Sequence, residues 1–187
     1  MSHARQIVRQ PFWRKMQNGI AQASILALLM AAVNVAAQTQ AQTLAADNKA
    51  CKLLTSAELE PVTGKLAPFK SALATADSQM CTAKSLKGTV MLRWSKSKTK
   101  PGEPSAAAKG VEAARDMGAT VEVKTFGPIT CSTMVPPAKM NQYGYNTTCS
   151  VIKGDAVAAV EVGARFRKDM VPIDKLRPLA EKLAARF

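Results

Sequence analysis

Apolar residues recur at every second position through much of the chain, the spacing of strands that bury one face. Val90, Leu92 and Trp94 alternate with Met91, Arg93 and Ser95, so Thr89 to Ser95 is expected to be a strand with one apolar and one mixed face. Gln79 to Lys84 precedes it across Leu86-Lys87-Gly88, a turn signal that makes a hairpin of the two. The alternation returns over Ala119 to Phe126, Ile129 to Val135 and Tyr145 to Ile152, and Asp155 opens a further strand through Val162.

Three segments carry helical signals instead. Thr55-Ser56-Ala57-Glu58 fits a capping box. The helix it opens is short or bent, because Pro61 has no amide to donate, and Gly64 stops it. From Ser105 to Met117, the small or apolar residues Ala107, Gly110, Val111, Ala114 and Met117 fall on one side at spacings of three and four. The last helix is expected to begin near Asp174, with Pro178 in or near its first turn and Leu176, Ala180, Leu183 and Phe187 facing inward. Residues 65–77 read as irregular, 96–104 as a charged Pro/Gly loop and 136–144 as a Pro-rich excursion. The order αββαβββα predicts an α+β fold, a mostly antiparallel sheet with helices packed on one face.

The N-terminus departs from this pattern. Arg5, Arg9, Arg14 and Lys15 stand without an acidic neighbour ahead of the apolar run Gly19 to Ala37, which ends in Val35-Ala36-Ala37. That is the layout of a secretory leader cut before Gln38, with Ala41 as an alternative site. The uninterrupted apolar core, Ile25 to Val33, is too short to span a bilayer, which takes roughly 20 residues. We therefore expect residues 1–37 to be a removed signal peptide, 38–50 a flexible segment and 51–187 a single stapled domain, periplasmic or secreted. The 187-residue chain carries 26 basic and 13 acidic residues. Loss of the leader removes four basic and no acidic residues, leaving a net charge of +9. A field of that sign favours anionic partners, which outside the cytoplasm are headgroups, acidic glycans, cell-wall polymers and acidic proteins.

Cysteine and histidine narrow the chemistry further. The single histidine, His3, lies in the expected leader, so the processed domain has no imidazole for catalytic triads, Cys-His pairs or HExxH zinc sites. All four cysteines, Cys51, Cys81, Cys131 and Cys149, lie beyond the leader, and an even count in an exported chain indicates an oxidised framework. Cys51 is too far from the apolar run to be a lipidation site. It also precedes the Thr55 N-cap by four residues, outside the helix terminus that would activate a thiol. No CxxC spacing occurs, and no metal or other cofactor is expected. Of the three possible connectivities, Cys51–Cys81 with Cys131–Cys149 closes the shortest loops.

The opening Cys51-x-Leu53-Leu54-Thr55, followed by Glu58 and Gly64, a second cysteine on the next strand and a closing Leu-Ala-rich helix, resembles a set of bacterial exported domains of unknown function. The resemblance implies an α+β fold and sequential cysteine pairing, and implies no activity. Pro61 departs from the uninterrupted first helix of that pattern.

Two surface elements are candidate contact sites. Arg93 to Lys100 is the densest basic stretch; if the strand continues, Trp94, Lys96, Lys98 and Lys100 share a face fit for a phosphate, a sugar or an acidic chain. The 136–145 excursion offers Lys139, Met140, Tyr143 and Tyr145 as a recognition loop. The triplets Val121-Glu122-Val123 and Val160-Glu161-Val162 raise a third option, in which neighbouring strands make Glu122 and Glu161 an acid/base pair for glycan chemistry. The competing reading of these strands is valines inward and glutamates outward, facing Lys124 or Arg165. The favoured expectation is a non-enzymatic exported domain binding an anionic envelope component or a protein partner. Nucleic acid is disfavoured by scarce aromatics and by export. The alternatives are an accessory or inhibitor protein acting through the 136–145 loop, and a glycan-active enzyme.

Overall fold

The computed structural model describes residues 47–97 and 105–187. The expected leader, and Lys98 and Lys100, lie outside the described residues. A 3-10 turn (Lys49–Lys52) leads into α1 (Ser56–Thr63) and the strands β1 (Lys70–Ala74), β2 (Ser78–Lys84) and β3 (Gly88–Lys96). Helix α2 (Ala106–Asp116) connects these to β4 (Thr120–Phe126), β5 (Ile129–Val135), β6 (Tyr145–Lys153) and β7 (Ala156–Ala164), and α3 (Ile173–Arg186) closes the fold. The fold is α+β, as the periodicity predicts; the four strands read after the second helix are all present, one more than the order αββαβββα counts, and β1 is an addition to the first group.

The seven strands among the described residues belong to one antiparallel sheet in the order β1-β2-β3-β7-β6-β5-β4. The crossover through α2 carries the chain from the centre of the sheet to its far edge. Each following strand then steps back until β7 pairs with β3, from Gly88 opposite Ala164 to Lys96 opposite Ala156. Register aligns Cys81, Leu92, Val160, Cys149, Cys131 and Lys124 in one row across six strands. Because side chains alternate between faces, this row and its second neighbours share one side. Ala83, Val90, Val162, Ile129 and Val151 join it to form the buried face. Leu176, Leu179, Ala180 and Leu183 of α3, Leu59 of α1 and Ala50 of the 3-10 turn cover that face. The opposite face carries short or polar groups such as Arg93, Glu161, Thr148 and Ser132, with Met91 among them, mostly half-exposed.

Several local expectations change. Lys70–Ala74, in the segment read as irregular, pairs with β2; its Lys-Ser-Ala-Leu-Ala sequence lacks alternation because an edge strand has little to bury. The 38–50 segment is not flexible at its end, since Asn48 and Ala50 are buried. Pro178 is the sixth residue of α3, just past its first turn. Of the small and apolar residues on one side of α2 only Ala114 is buried, and Met117 is 58% exposed. In β4 the valines do not face inward. The two-residue turn Gly127-Pro128 sets Phe126 opposite Ile129 on the buried side, so Lys124 and Glu122 share that side and Val121 and Val123 take the other.

The cysteines pair as expected. Cys51–Cys81 ties the 3-10 turn to β2, and Cys131–Cys149 joins directly opposed residues of β5 and β6 with a Cα separation of 4.0 Å. Each closure contributes about 3 kcal/mol on chain-entropy grounds. Asn48 reinforces the first. Its Nδ2 donates to Ser71 Oγ (2.8 Å), Leu73 O (2.8 Å) and Met80 O (3.1 Å), and its Oδ1 accepts from the Ala50 N–H (3.0 Å). These bonds span the point where the β1–β2 register shifts, between Ser71 and Leu73. The buried amide thus bonds to both strands at the bulge and ties them to the 3-10 turn.

Two substitutions test this architecture by urea denaturation. Asn48→Ala is expected to cost about 2–3 kcal/mol, because it removes four bonds and leaves the buried Ala50 N–H without its partner. Gly88→Ala is expected to cost on the order of 2 kcal/mol or more, since a Cβ there would lie 1.8 Å from the Gly163 carbonyl oxygen across the β3–β7 pair.

Candidate functional site

Trp94 lies on the buried face of β3 near its end, half-buried against the core. Beside it opens a groove of about 310 Å³ lined by Lys49, Lys52, Leu53, Trp94, Arg186 and Phe187. The Lys49 ammonium stands over the indole ring, 4.8 Å from its centroid. Local bonding explains that placement. Gln79 is the cross-strand neighbour of Trp94, and its Oε1 accepts from the Lys49 N–H at 2.6 Å. The Cys51–Cys81 bond, two residues along each chain, clamps the same 3-10 turn to the sheet.

The other wall is the end of α3, positioned by Glu58. The Arg186 guanidinium meets this carboxylate with both forks, Nη1 to Oε2 and Nη2 to Oε1 at 2.8 Å each, and also donates to Leu53 O at 3.1 Å. The Thr55 N–H and hydroxyl both donate to Glu58 Oε2 at 3.0 Å, and Lys182 Nζ lies 3.6 Å from Oε1. One residue therefore closes the capping box of α1 and anchors α3. These donors, Arg186 foremost, pull the Glu58 carboxyl down to about 2. Arg186 is thereby neutralised, leaving the ammonium groups of Lys49 and Lys52 as the groove's cations above an apolar floor of Leu53, Trp94 and Phe187.

The residues singled out in the sequence are distributed over several places. Lys96 shares the face of Trp94 but pairs with Asp77 at 2.9 Å, which raises its pKa. Arg93 points to the opposite face, where it pairs with Glu161 and donates through Nε to Met91 Sδ at 3.1 Å. The 136–145 excursion forms a 3-10 turn (Ala138–Tyr143) that includes exposed Lys139 and half-buried Met140 and ends at Tyr143; the Tyr145 hydroxyl donates to Asn141 Oδ1 at 3.4 Å. Tyr145 starts β6 opposite Ala164, whereas Trp94 pairs near the start of β7 with Ala158. The loop and the groove thus lie at opposite ends of the sheet, about 20 Å apart along the strands, and do not form one surface.

The carboxylate pair is corrected. Glu122 lies on edge strand β4 on the helix side and pairs with Lys124 at 3.0 Å, while Glu161 lies on β7 on the other side. Three strand spacings, about 14 Å, and the sheet itself separate them, so they cannot share a proton or flank one glycosidic bond. Glu161 takes Arg93 as its partner, not Arg165. Among the described residues no group of three or more His, Cys, Asp or Glu side chains is placed to hold a metal ion. No helix among them is long and apolar enough to cross a membrane.

Lys49 and Lys52 were visible in the sequence as neighbours of Cys51, but only the pairing of Cys51 with Cys81 brings them to Trp94. Arg186 and Phe187 carried no local signal. Comparison of the chain with protein-family models, with curated proteins and with solved structures finds no match.

The Glu58 junction gives a pH dependence. A carboxyl that titrates below its ordinary 4.5 in the folded state stabilises the fold fully above pH 4.5 and loses that contribution as the pH falls toward 2. Allowing for the solvent that screens Arg186, the contribution is about 1–2 kcal/mol. Urea midpoints measured from pH 6 to pH 2.5 should fall for the native protein, and the slope should flatten in Glu58→Gln.

Proposed function

We propose that the protein is a non-enzymatic binding domain for an anionic component of the cell envelope, which it takes at the Trp94 groove. The observation that carries this reading is the half-buried indole with Lys49 over its ring and Lys52 on the rim of an open apolar groove. Two ammonium groups attract the charge, while the indole and Phe187 offer flat apolar surface to a sugar ring or the backbone of an acidic polymer. The net positive charge of the chain supplies the long-range attraction. The oxidised cysteine pairs are compatible with residence outside the cytoplasm.

The chain has two tryptophans, and Trp13 lies in the expected leader. In the protein beginning at Gln38, indole fluorescence therefore reports Trp94 alone. Titration with dextran sulfate should change that emission while neutral dextran does not. The apparent Kd should weaken roughly tenfold or more between about 50 and 500 mM salt, as screening removes the attraction. Lys49→Glu and Lys52→Glu should each weaken binding at low salt. An affinity indifferent to salt or to both substitutions overturns the proposal.

A further inference from the structure

The two edges of the sheet differ. Edge strand β1 has five residues, a register shift at its middle and the Asn48 amide on its Leu73 carbonyl. Edge strand β4 runs seven residues, Thr120 to Phe126, with an unbroken register against β5 and no proline. Natural sheets interrupt edges with bulges or charges that block pairing. β4 has no bulge, and its two charges are of opposite sign.

The phase of the ladder fixes which groups β4 offers. In an antiparallel pair, only alternate residues exchange both backbone bonds with a given neighbour. The Ile152 N–H donates to Pro128 O at 3.5 Å. Between β5 and β6, Ile129, Cys131 and Thr133 are therefore the non-bonded positions, and they turn their backbone groups to β4. Their partners there are Phe126, Lys124 and Glu122. Val121, Val123 and Thr125 consequently direct their N–H and C=O groups away from the sheet. Arg115 Nη2 reaches one of these, the Val121 carbonyl, at 3.4 Å.

We propose that β4 is a self-recognition edge, on which a second copy of the chain pairs antiparallel about Val123 to continue the sheet through a two-fold axis. In that register Val123 of each copy faces Val123 of the other and exchanges two backbone bonds with it. Val121 faces Thr125 twice over and adds four more. Glu122 of each copy faces Lys124 of the other at the closely spaced, non-bonded positions, where opposite charges attract best. The intrachain Glu122–Lys124 contact of 3.0 Å shows that both side chains lie on one face, so two copies form a ring of four alternating charges. Shifting the axis to Glu122 or to Lys124 sets like charges against each other. Axes at Val121 or Thr125 pair less of the strand, so charge and overlap together favour the Val123 register, and a copy of the chain itself over an unrelated strand. A paired edge is isologous and closes at two copies.

The test is sedimentation of the oxidised, processed protein over a range of concentrations, with a charge exchange at the edge. The native protein should dimerise, and E122K or K124E alone should weaken the dimer roughly tenfold or more, since each sets like charges across the axis. An equimolar mixture of E122K and K124E should restore association as a heterodimer, because every facing pair is again opposite in sign. Circular dichroism establishes that each variant is folded. V123C provides a second readout. Its Cα atoms would face at about 5.5 Å, within disulfide range, so mild oxidation should give a covalent dimer; T125C, whose symmetry mate lies four residues away, should not. A protein that stays monomeric up to millimolar concentration, a dimer indifferent to E122K and K124E, or a mixture that fails to associate overturns the proposal.

Discussion

The bond between Cys51 and Cys81 is the constraint on which most of the structure depends. It holds a 3-10 turn, rather than a helix or a strand, against the β2–β3 half of the sheet, while α3 packs mainly on β5, β6 and β7. A short turn buries little apolar area by itself: Ala50 and Leu53 are its main contributions. The covalent closure and the Asn48 amide supply what packing alone would not. The same bond sets the level at which Lys49 and Lys52 stand above β3, so the geometry of the groove follows from the staple that completes the core.

A second constraint acts from the other end of the chain. Glu58 is asked to cap α1 and to neutralise Arg186, and its single carboxylate does both because the capping box leaves one oxygen facing α3. Without that anion, four cations, Lys49, Lys52, Lys182 and Arg186, would gather around one corner of a basic domain. With it, the charge is divided: Arg186 and Lys182 serve cohesion of the two helices, and Lys49 and Lys52 are left to the groove. The separation is electrostatic rather than spatial.

The parts of this arrangement that were legible in the sequence are those governed by local rules. Alternation in Val90, Leu92 and Trp94 identified β3 because its two faces meet different surroundings, and Thr55 with Glu58 identified α1 because a capping box is complete within four residues. Gly64 as a stop and the sequential cysteine pairing were legible for similar reasons. What escaped depends on partners distant in the chain. β1 has no alternation to read, Asn48 acquires its role only where β1 bulges, and the orientation of Val121 and Val123 was set by the Gly127-Pro128 turn against their own pattern. The site was half legible. Trp94 was singled out with the lysines that follow it in sequence, whereas the cations that share its groove come from the N-terminal turn.

The helix-side position of Glu122 and Lys124 determines how an edge-paired assembly would meet its surroundings. A two-fold axis through Val123 stands perpendicular to the sheet, so it leaves the same face uppermost in both copies. The Trp94 grooves, on that face, would then open in one direction instead of back to back. An extended polyanion lying along the assembly could engage both, and its second contact would form at the high effective concentration set by the first. Avidity of this kind would let two such sites hold a long repetitive ligand while releasing its short fragments.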